Sequence, residues 1–288
     1  MLATSDTFPD ALAGAPLAVA KNAPLLLNPS VALDPRVKAE VDRILPAGGD
    51  VYLLGGTGAL SVTVEETLTN AGYHVTRLAG ATRYDTAAAI AELFRFPKLI
   101  ILATGHDFPD ALSAGVPAAA LNGPTQAVDP TDPAAFGGGV LLLTDGNQMP
   151  PRAQAYVDRW GSAARIMAVG RPAWGAEPGE GEIGGADRYE TATNVAQLFS
   201  NCCTVPFANA TSFGLATGRD FPDALAAASS LARRGQPLLL TEPSQLPPSV
   251  SKWLSANASQ YTAATIFGGT GVIDDAVATQ VENIRPSS

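Results

Sequence analysis

The chain has 288 residues, 46% of them hydrophobic and 16% charged, with 18 Lys and Arg against 27 Asp and Glu for a net charge of −9. That is enough apolar surface to offset the entropy of ordering, which excludes disordered, collagenous and low-complexity chains. The charge balance excludes the basic footprint of a nucleic-acid binder, and no apolar run approaches the roughly 18 residues that insert in a membrane.

In chain order, Leu2-Ala3-Thr4 reads as the end of a buried strand, and Thr7-Phe8-Pro9-Asp10-Ala11-Leu12 as the start of a helix. Apolar strands at Leu25-Leu26-Leu27 and Val51-Tyr52-Leu53-Leu54 follow, then a turn at Gly55-Gly56-Thr57-Gly58. Gly80-Ala81-Thr82-Arg83-Tyr84-Asp85-Thr86-Ala87 opens a helix over residues 83–94. A strand over 99–104 then leads to Asp107-Phe108-Pro109-Asp110-Ala111-Leu112 and a helix over 109–121. Leu141-Leu142-Leu143 and the turn Gly170-Arg171-Pro172 come next. The order then recurs: Gly185-Ala186-Asp187-Arg188-Tyr189-Glu190-Thr191-Ala192, Asp220-Phe221-Pro222-Asp223-Ala224-Leu225, Leu238-Leu239-Leu240 and Gly268-Gly269-Thr270-Gly271.

Four linked motifs repeating in one order define a domain-sized period of roughly a hundred residues. Strands that are apolar on both faces and alternate with helices are parallel strands covered by helices, so each unit is a small α/β domain with right-handed crossovers. We divide the chain into units at 1–76, 77–182 and 183–288. The second unit carries a Pro-, Gly- and Asp-rich insertion over 122–139, read as a surface loop. Its segment 175–181 stands where the first unit has a helix. The third inserts residues at 201–211, which include Cys202 and Cys203, the only cysteines. An adjacent pair is neither a C-x-x-C motif nor a disulfide scaffold; a strained vicinal disulfide and two buried thiols are the alternatives.

The first unit lacks the Arg-Tyr helix. The register predicts that about 25–30 residues holding one precede Met1. It also predicts that Leu2, Ala3 and the groove beside Asp10 are more exposed than their counterparts at Leu102 and Asp110.

Each motif has a structural and a functional reading. Proline suits the first turn of a helix and aspartate suits its positive end, so F-P-D-A-L is a stable strand-to-helix junction. It also lies at the carboxyl end of a strand, where ligand crevices form, which makes Asp10, Asp110 and Asp223 candidates with Thr104 and Thr217 at the strand ends. The turns Gly55-Gly56-Thr57 and Gly268-Gly269-Thr270 resemble phosphate cradles but satisfy neither G-x-G-x-x-G nor a P-loop. Thr82-x-x-Asp85 and Asp187-x-x-Glu190 read as capping boxes, which puts Arg83 and Arg188 in a first turn that disfavours cations. The same rule broken twice marks either a structural partner, for which the F-P-D aspartates are the nearest, or ligand contact through Arg83, Tyr84, Thr86, Arg188, Tyr189 and Thr191. His74 and His106 stand in no catalytic motif, and nothing calls for a metal or cofactor.

At these residues the chain resembles the type 2 cell-wall-binding repeat family, with R-Y-x-T-A, A-T-G-x-x-F-P-D-A-L, P-L-L-L and G-G-T in order. The resemblance implies three tandem Rossmann-like modules with small parallel sheets about a pseudo-threefold axis. It implies an extracellular, non-catalytic region of a Gram-positive surface protein. That region would hold a secondary cell-wall polymer, a neutral or anionic glycan, with an effector domain in the same protein. Two other classes stand beside it: a Rossmann-like enzyme handling a nucleotide or sugar nucleotide, and a laterally assembling surface-layer protein.

Overall fold

A computed structural model describes residues 1–122, 137–177, 179, 181–201 and 210–284. The two cysteines and most of both insertions lie outside them. Three separate parallel sheets follow one another along the chain.

The first sheet contains β1 (Leu2–Thr4), β2 (Leu26–Asn28), β3 (Asp50–Leu54) and β4 (His74–Leu78), in the order β2-β1-β3-β4. Between them run α1 (Gly14–Ala20), α2 (Pro35–Ile44) and α3 (Val62–Asn70). The second sheet repeats that order as β6-β5-β7-β8, from β5 (Leu99–Thr104), β6 (Gly139–Thr144), β7 (Arg165–Val169) and β8 (Glu182–Ile183). Its helices are α4 (Arg83–Ala91), α5 (Pro109–Ala120), α6 (Pro151–Trp160) and α7 (Arg171–Ala176). The third, β10-β9-β11, comprises β9 (Ser212–Thr217), β10 (Leu238–Thr241) and β11 (Ala263–Phe267), with α8 (Arg188–Asn201), α9 (Pro222–Arg233), α10 (Pro248–Ala256) and α11 (Asp275–Ile284). Central strands such as β5 are buried along their whole length, as parallel strands must be when helices cover both faces.

The helices that follow F-P-D, α1, α5 and α9, pack on one another and join the three sheets in a shared core, while Leu53, Val64 and Leu68 form a second cluster within the first unit. α5 and α9 begin at the proline of the motif, but the helix expected to open at residues 7–12 does not: the chain runs through a turn there and α1 starts only at Gly14. The Ala- and Gly-rich faces of the three helices allow that approach; every residue of α1 is buried. At their N-terminal end Phe8, Phe108 and Phe221 form a triangle. Its ring centroids are 5.6, 5.8 and 6.2 Å apart and each pair meets edge to face near 60°. Such aromatic pairs contribute about 0.5–1.5 kcal/mol each beyond area burial. The triangle marks the pseudo-threefold axis.

Two further sequence expectations fail here. Leu2 and Ala3 are 1% and 0% exposed, no more open than Leu102 and Ala103 at 0%. The reason is the position of β1 in the middle of its sheet. An Arg-Tyr helix covers the second strand of a sheet rather than the first: α4 packs on β6 and α8 on β10. Accordingly Leu26 and Leu27 of β2 are half-buried, whereas β6 and β10 are buried throughout. The segment read as lacking a helix is in part helical, because Pro172 starts α7 and Trp174 N–H closes its turn on Gly170 O at 3.2 Å.

Candidate functional site: the seams between units

Each F-P-D aspartate packs closely against the glycine turn of its own unit. Gly55, Gly170 and Gly268 have φ of +103°, +86° and +114°, a region that disfavours side chains. A Cβ would also land 2.6 Å from Asp10 Oδ2 at Gly55 and 2.7 Å from Asp223 Oδ2 at Gly268, and closer still to Asp110 at Gly170. The F-P-D and glycine motifs, over 40 residues apart in sequence, are therefore one structure. Arg77 backs the first turn, donating to Gly55 O at 3.0 Å and pairing with Glu65 at 2.7 Å. Thr57 and Gly268 to Thr270 are exposed, Gly56 is half-buried and Gly55 is buried.

The first Arg-Tyr helix starts with the predicted capping box, and the second differs by one residue in the bond that Glu190 makes. Thr82 Oγ1 accepts from Asp85 N–H while Asp85 accepts from Thr82 N–H, a complete capping box. Asp187 accepts from Tyr189 and Glu190 N–H, and Glu190 reaches back to Ala186 N–H at 2.6 Å. The arginines do not bond the F-P-D aspartates, contrary to the sequence expectation. Arg83 Nη1 donates to Gly105 O and Arg188 Nη1 to Gly218 O, both at 2.6 Å. Their guanidinium carbons lie 5.7 Å from the Phe8 ring and 5.5 Å from the Phe108 ring, each in the preceding unit. Arg188 Nη2 also approaches Asp107 at 3.4 Å. The aspartate side chains lie against their glycine turns, and a carbonyl and an aromatic face take the cations.

The tyrosines turn the other way. Tyr84 O–H donates at 2.8 Å to Asp145, which also bonds His106. Tyr189 faces Glu242, which receives a bidentate fork from Arg219 at 2.6 and 2.7 Å. Burial, then the neighbouring carboxylate, pushes both tyrosine pKa values up to about 12. Sequence reading missed these partners and the reason for Gly105 and Gly218. A Cβ there would meet Tyr84 Cε1 at 2.7 Å and Tyr189 Cε1 at 2.6 Å. The signal was present, because the first unit, where no described tyrosine lies over this position, carries Ser5, Asp6 and Pro29 at the glycine, base and acid positions.

The second seam encloses a recess of about 270 Å³, lined by Thr104, Asp107, Asp110, Arg171, Arg188 and Thr191 among others. It brings together four residues expected from sequence: Thr104, Asp110, Arg188 and Thr191. Burial, then the charge of Asp107, pushes the Asp110 pKa up to about 6, while Arg188 and Thr191 oppose that rise. Burial and Asp220 raise Asp223 in the same direction. In the first seam Thr86 Oγ1 accepts from Gly80 N–H at 3.2 Å, in the helix start that follows Asp10. Thr104 and Thr217 are buried and accept from His106 and Arg219 N–H at 3.2 and 3.1 Å, which fixes the turn after each strand. Asp10, Asp110 and Asp223 are all half-buried, so the groove at Asp10 is not the opened one. Each Arg-Tyr helix serves the unit before it, α4 the seam of Asp10 and α8 that of Asp110. Among the described residues no group of His, Cys, Asp or Glu converges as a metal site, and no helix is long and apolar enough to cross a membrane.

Three parallel-sheet units are joined on one aromatic axis, with a polar recess at the second seam. The chain belongs to the cell wall binding domain 2 (CWB2) family, whose model matches residues 1–65, 77–173 and 182–278. It is similar to the N-acetylmuramoyl-L-alanine amidase LytC of Bacillus subtilis, 26% identical over 96% of this chain and 51% of that protein. It is also similar to the amidase enhancer of the same organism, 25% identical over 98% of this chain and 36% of that one. The chain thus spans about half or less of the length of these relatives. Among solved structures, Cwp8 from Clostridium difficile shares the fold with a TM-score of 0.78 at 24% identity, covering 98% of this chain and 46% of that one. Cwp6 gives 0.77 at 22%, covering 99% and 43%. The chain is a cell-wall-binding region of the cell surface, built of tandem repeats.

Proposed function

We propose that the chain holds a wall glycan in its inter-unit seams, and that it attaches an effector domain of the same protein to the wall without itself catalysing a reaction. The recess of the second seam carries this reading. Thr104 and Thr191 carry hydroxyls and the Asp110 carboxylate accepts hydrogen bonds, which suits sugar hydroxyls. Arg171 and Arg188 stand beside them and suit a carboxylate or phosphate substituent on the same chain. Repetition of the seam fits a repeating polymer, since linked weak sites raise avidity without new contacts.

The test is co-sedimentation of the chain with purified walls before and after their secondary polymer is extracted. Binding should be lost on extraction and competed by the solubilised polymer. Equal binding to extracted walls would refute the reading.

A further inference from the structure

We infer that the second seam is fitted to an anionic sugar of the wall polymer: Arg171 binds its carboxylate or phosphate substituent, and the indole of Trp174 stacks on its ring. The inference rests on the reading of the seams as glycan sites and goes on to the ligand class of one of them.

The three glycine turns agree at their first residue. Gly55, Gly170 and Gly268 all have positive φ, and all lie against the F-P-D aspartate of their unit. Beyond that residue the copies part. Gly56 and Gly269 come next in the first and third units, but Arg171 comes next in the second, and Trp174 stands where the others have Ala59 and Val272. A Cβ at Gly56 or Gly269 would meet nothing within 4 Å, so packing in those turns demands no side chain there. The second unit thus carries a cation and an indole that the other two copies of the turn do without. A local departure of this kind, on an unchanged scaffold, marks a functional site.

Arg171 is exposed and lines the recess, and among the described residues no hydrogen bond or ion pair holds its guanidinium. The carboxylates nearby are engaged elsewhere. Asp107 approaches Arg188 at 3.4 Å, Asp187 accepts from the N–H groups of Tyr189 and Glu190, and Asp110 lies against Gly170. Arg171 therefore presents a free planar fork at the mouth of a polar recess, and that fork matches a carboxylate or a phosphate.

Trp174 lies three residues on, one turn away along the same side of α7. It is 40% exposed, whereas Trp253 is 7% exposed, so its indole forgoes much of the stabilisation that burial would bring. α7 holds both side chains in place. Ala173 between them is fully buried, and Trp174 N–H and Glu177 N–H close on Gly170 O and Ala173 O at 3.2 Å. Gly175 fits against the turn after β6, where a Cβ would stand 3.2 Å from that of Asn147. A platform fixed before binding loses little entropy when it binds. The negative face of an indole suits the polarised C–H groups of a pyranose ring. A sugar lying on Trp174 has Arg171 within reach of its charged substituent, and the next sugar of the chain enters the recess at Thr104, Asp110 and Thr191.

The experiment gives the full chain the residues of its first unit, Arg171→Gly and Trp174→Ala, with Trp174→Leu as a variant that keeps an apolar cover on α7. Binding of solubilised wall polymer is measured by calorimetry, using the polymer native, carboxyl-reduced and dephosphorylated. Arg171→Gly and both Trp174 variants should each bind native polymer roughly tenfold more weakly than the unsubstituted chain. Arg171→Gly and the unsubstituted chain should bind equally once the anion is removed, and the treatment that abolishes their difference tells carboxylate from phosphate. Polymer should also shift the tryptophan emission of the unsubstituted chain but not that of Trp174→Leu. Undiminished affinity in all three variants, with the unsubstituted chain still binding, would overturn the inference and leave the glycan reading standing. An Arg171→Gly deficit that persists on polymer stripped of both anions would also overturn it. Failure of the unsubstituted chain to bind native polymer would overturn both.

Discussion

Arg188 opens the first helix of the third unit, yet its guanidinium carbon stands 5.5 Å from the ring centroid of Phe108 in the second. Arg83 and Phe8 repeat the relation one unit earlier at 5.7 Å. A cation in a first turn works against the helix dipole, and here it is retained because it ties one unit to the next.

Arg188→Ala removes a bond to Gly218 O, the ring contact and the approach to Asp107. Its side chain is one-third exposed, so the loss should be about 2 kcal/mol rather than that of a fully buried pair. Chemical denaturation should also show that Arg188→Lys recovers little of it, because lysine lacks the planar fork.

Gly105→Ala should cost about 1–3 kcal/mol, since the new methyl overlaps the Tyr84 ring. Placed on Tyr84→Ala, the same substitution should cost much less. Ser5→Ala, at the equivalent position with no tyrosine above it, should be close to neutral. A double-mutant cycle measured by urea unfolding checks all three.

These glycines mark how far the sequence carries. The repeat, the parallel sheets and both helix caps were legible because each is local: a motif, an apolar run, a residue three places from its partner. Contacts across units were not, since Arg188 and Asp107 are 81 residues apart and nothing local aims one at the other. The expected pairing of Arg83 and Arg188 with F-P-D aspartates failed for that reason. The tie between Asp10 and Gly55 was hidden likewise, although both residues stood out as motifs.

Asp110 makes stability pH-dependent. Its folded pKa of about 6 lies above the ordinary aspartate value, so the folded state keeps the proton longer than the unfolded chain. Stability from this group is therefore present below about pH 4 and is lost as pH rises to about 6, by roughly 2–3 kcal/mol at most. Asp110→Asn should flatten that part of the profile and raise Tm at pH 7, measured by thermal unfolding across pH 4–8.

Phe8→Ala breaks two sides of the aromatic triangle and strips the ring under Arg83. A loss of about 3 kcal/mol or more is expected in calorimetry.

The central claim is that the seams hold the wall polymer. Amide NMR shifts of the chain, followed while solubilised wall polymer is added, test it most directly. The account predicts that the largest changes fall on Thr104, Asp110, Arg171, Arg188 and Thr191. Changes confined to the outward helices α2, α6 and α10, with the seam residues unmoved at saturation, would contradict it.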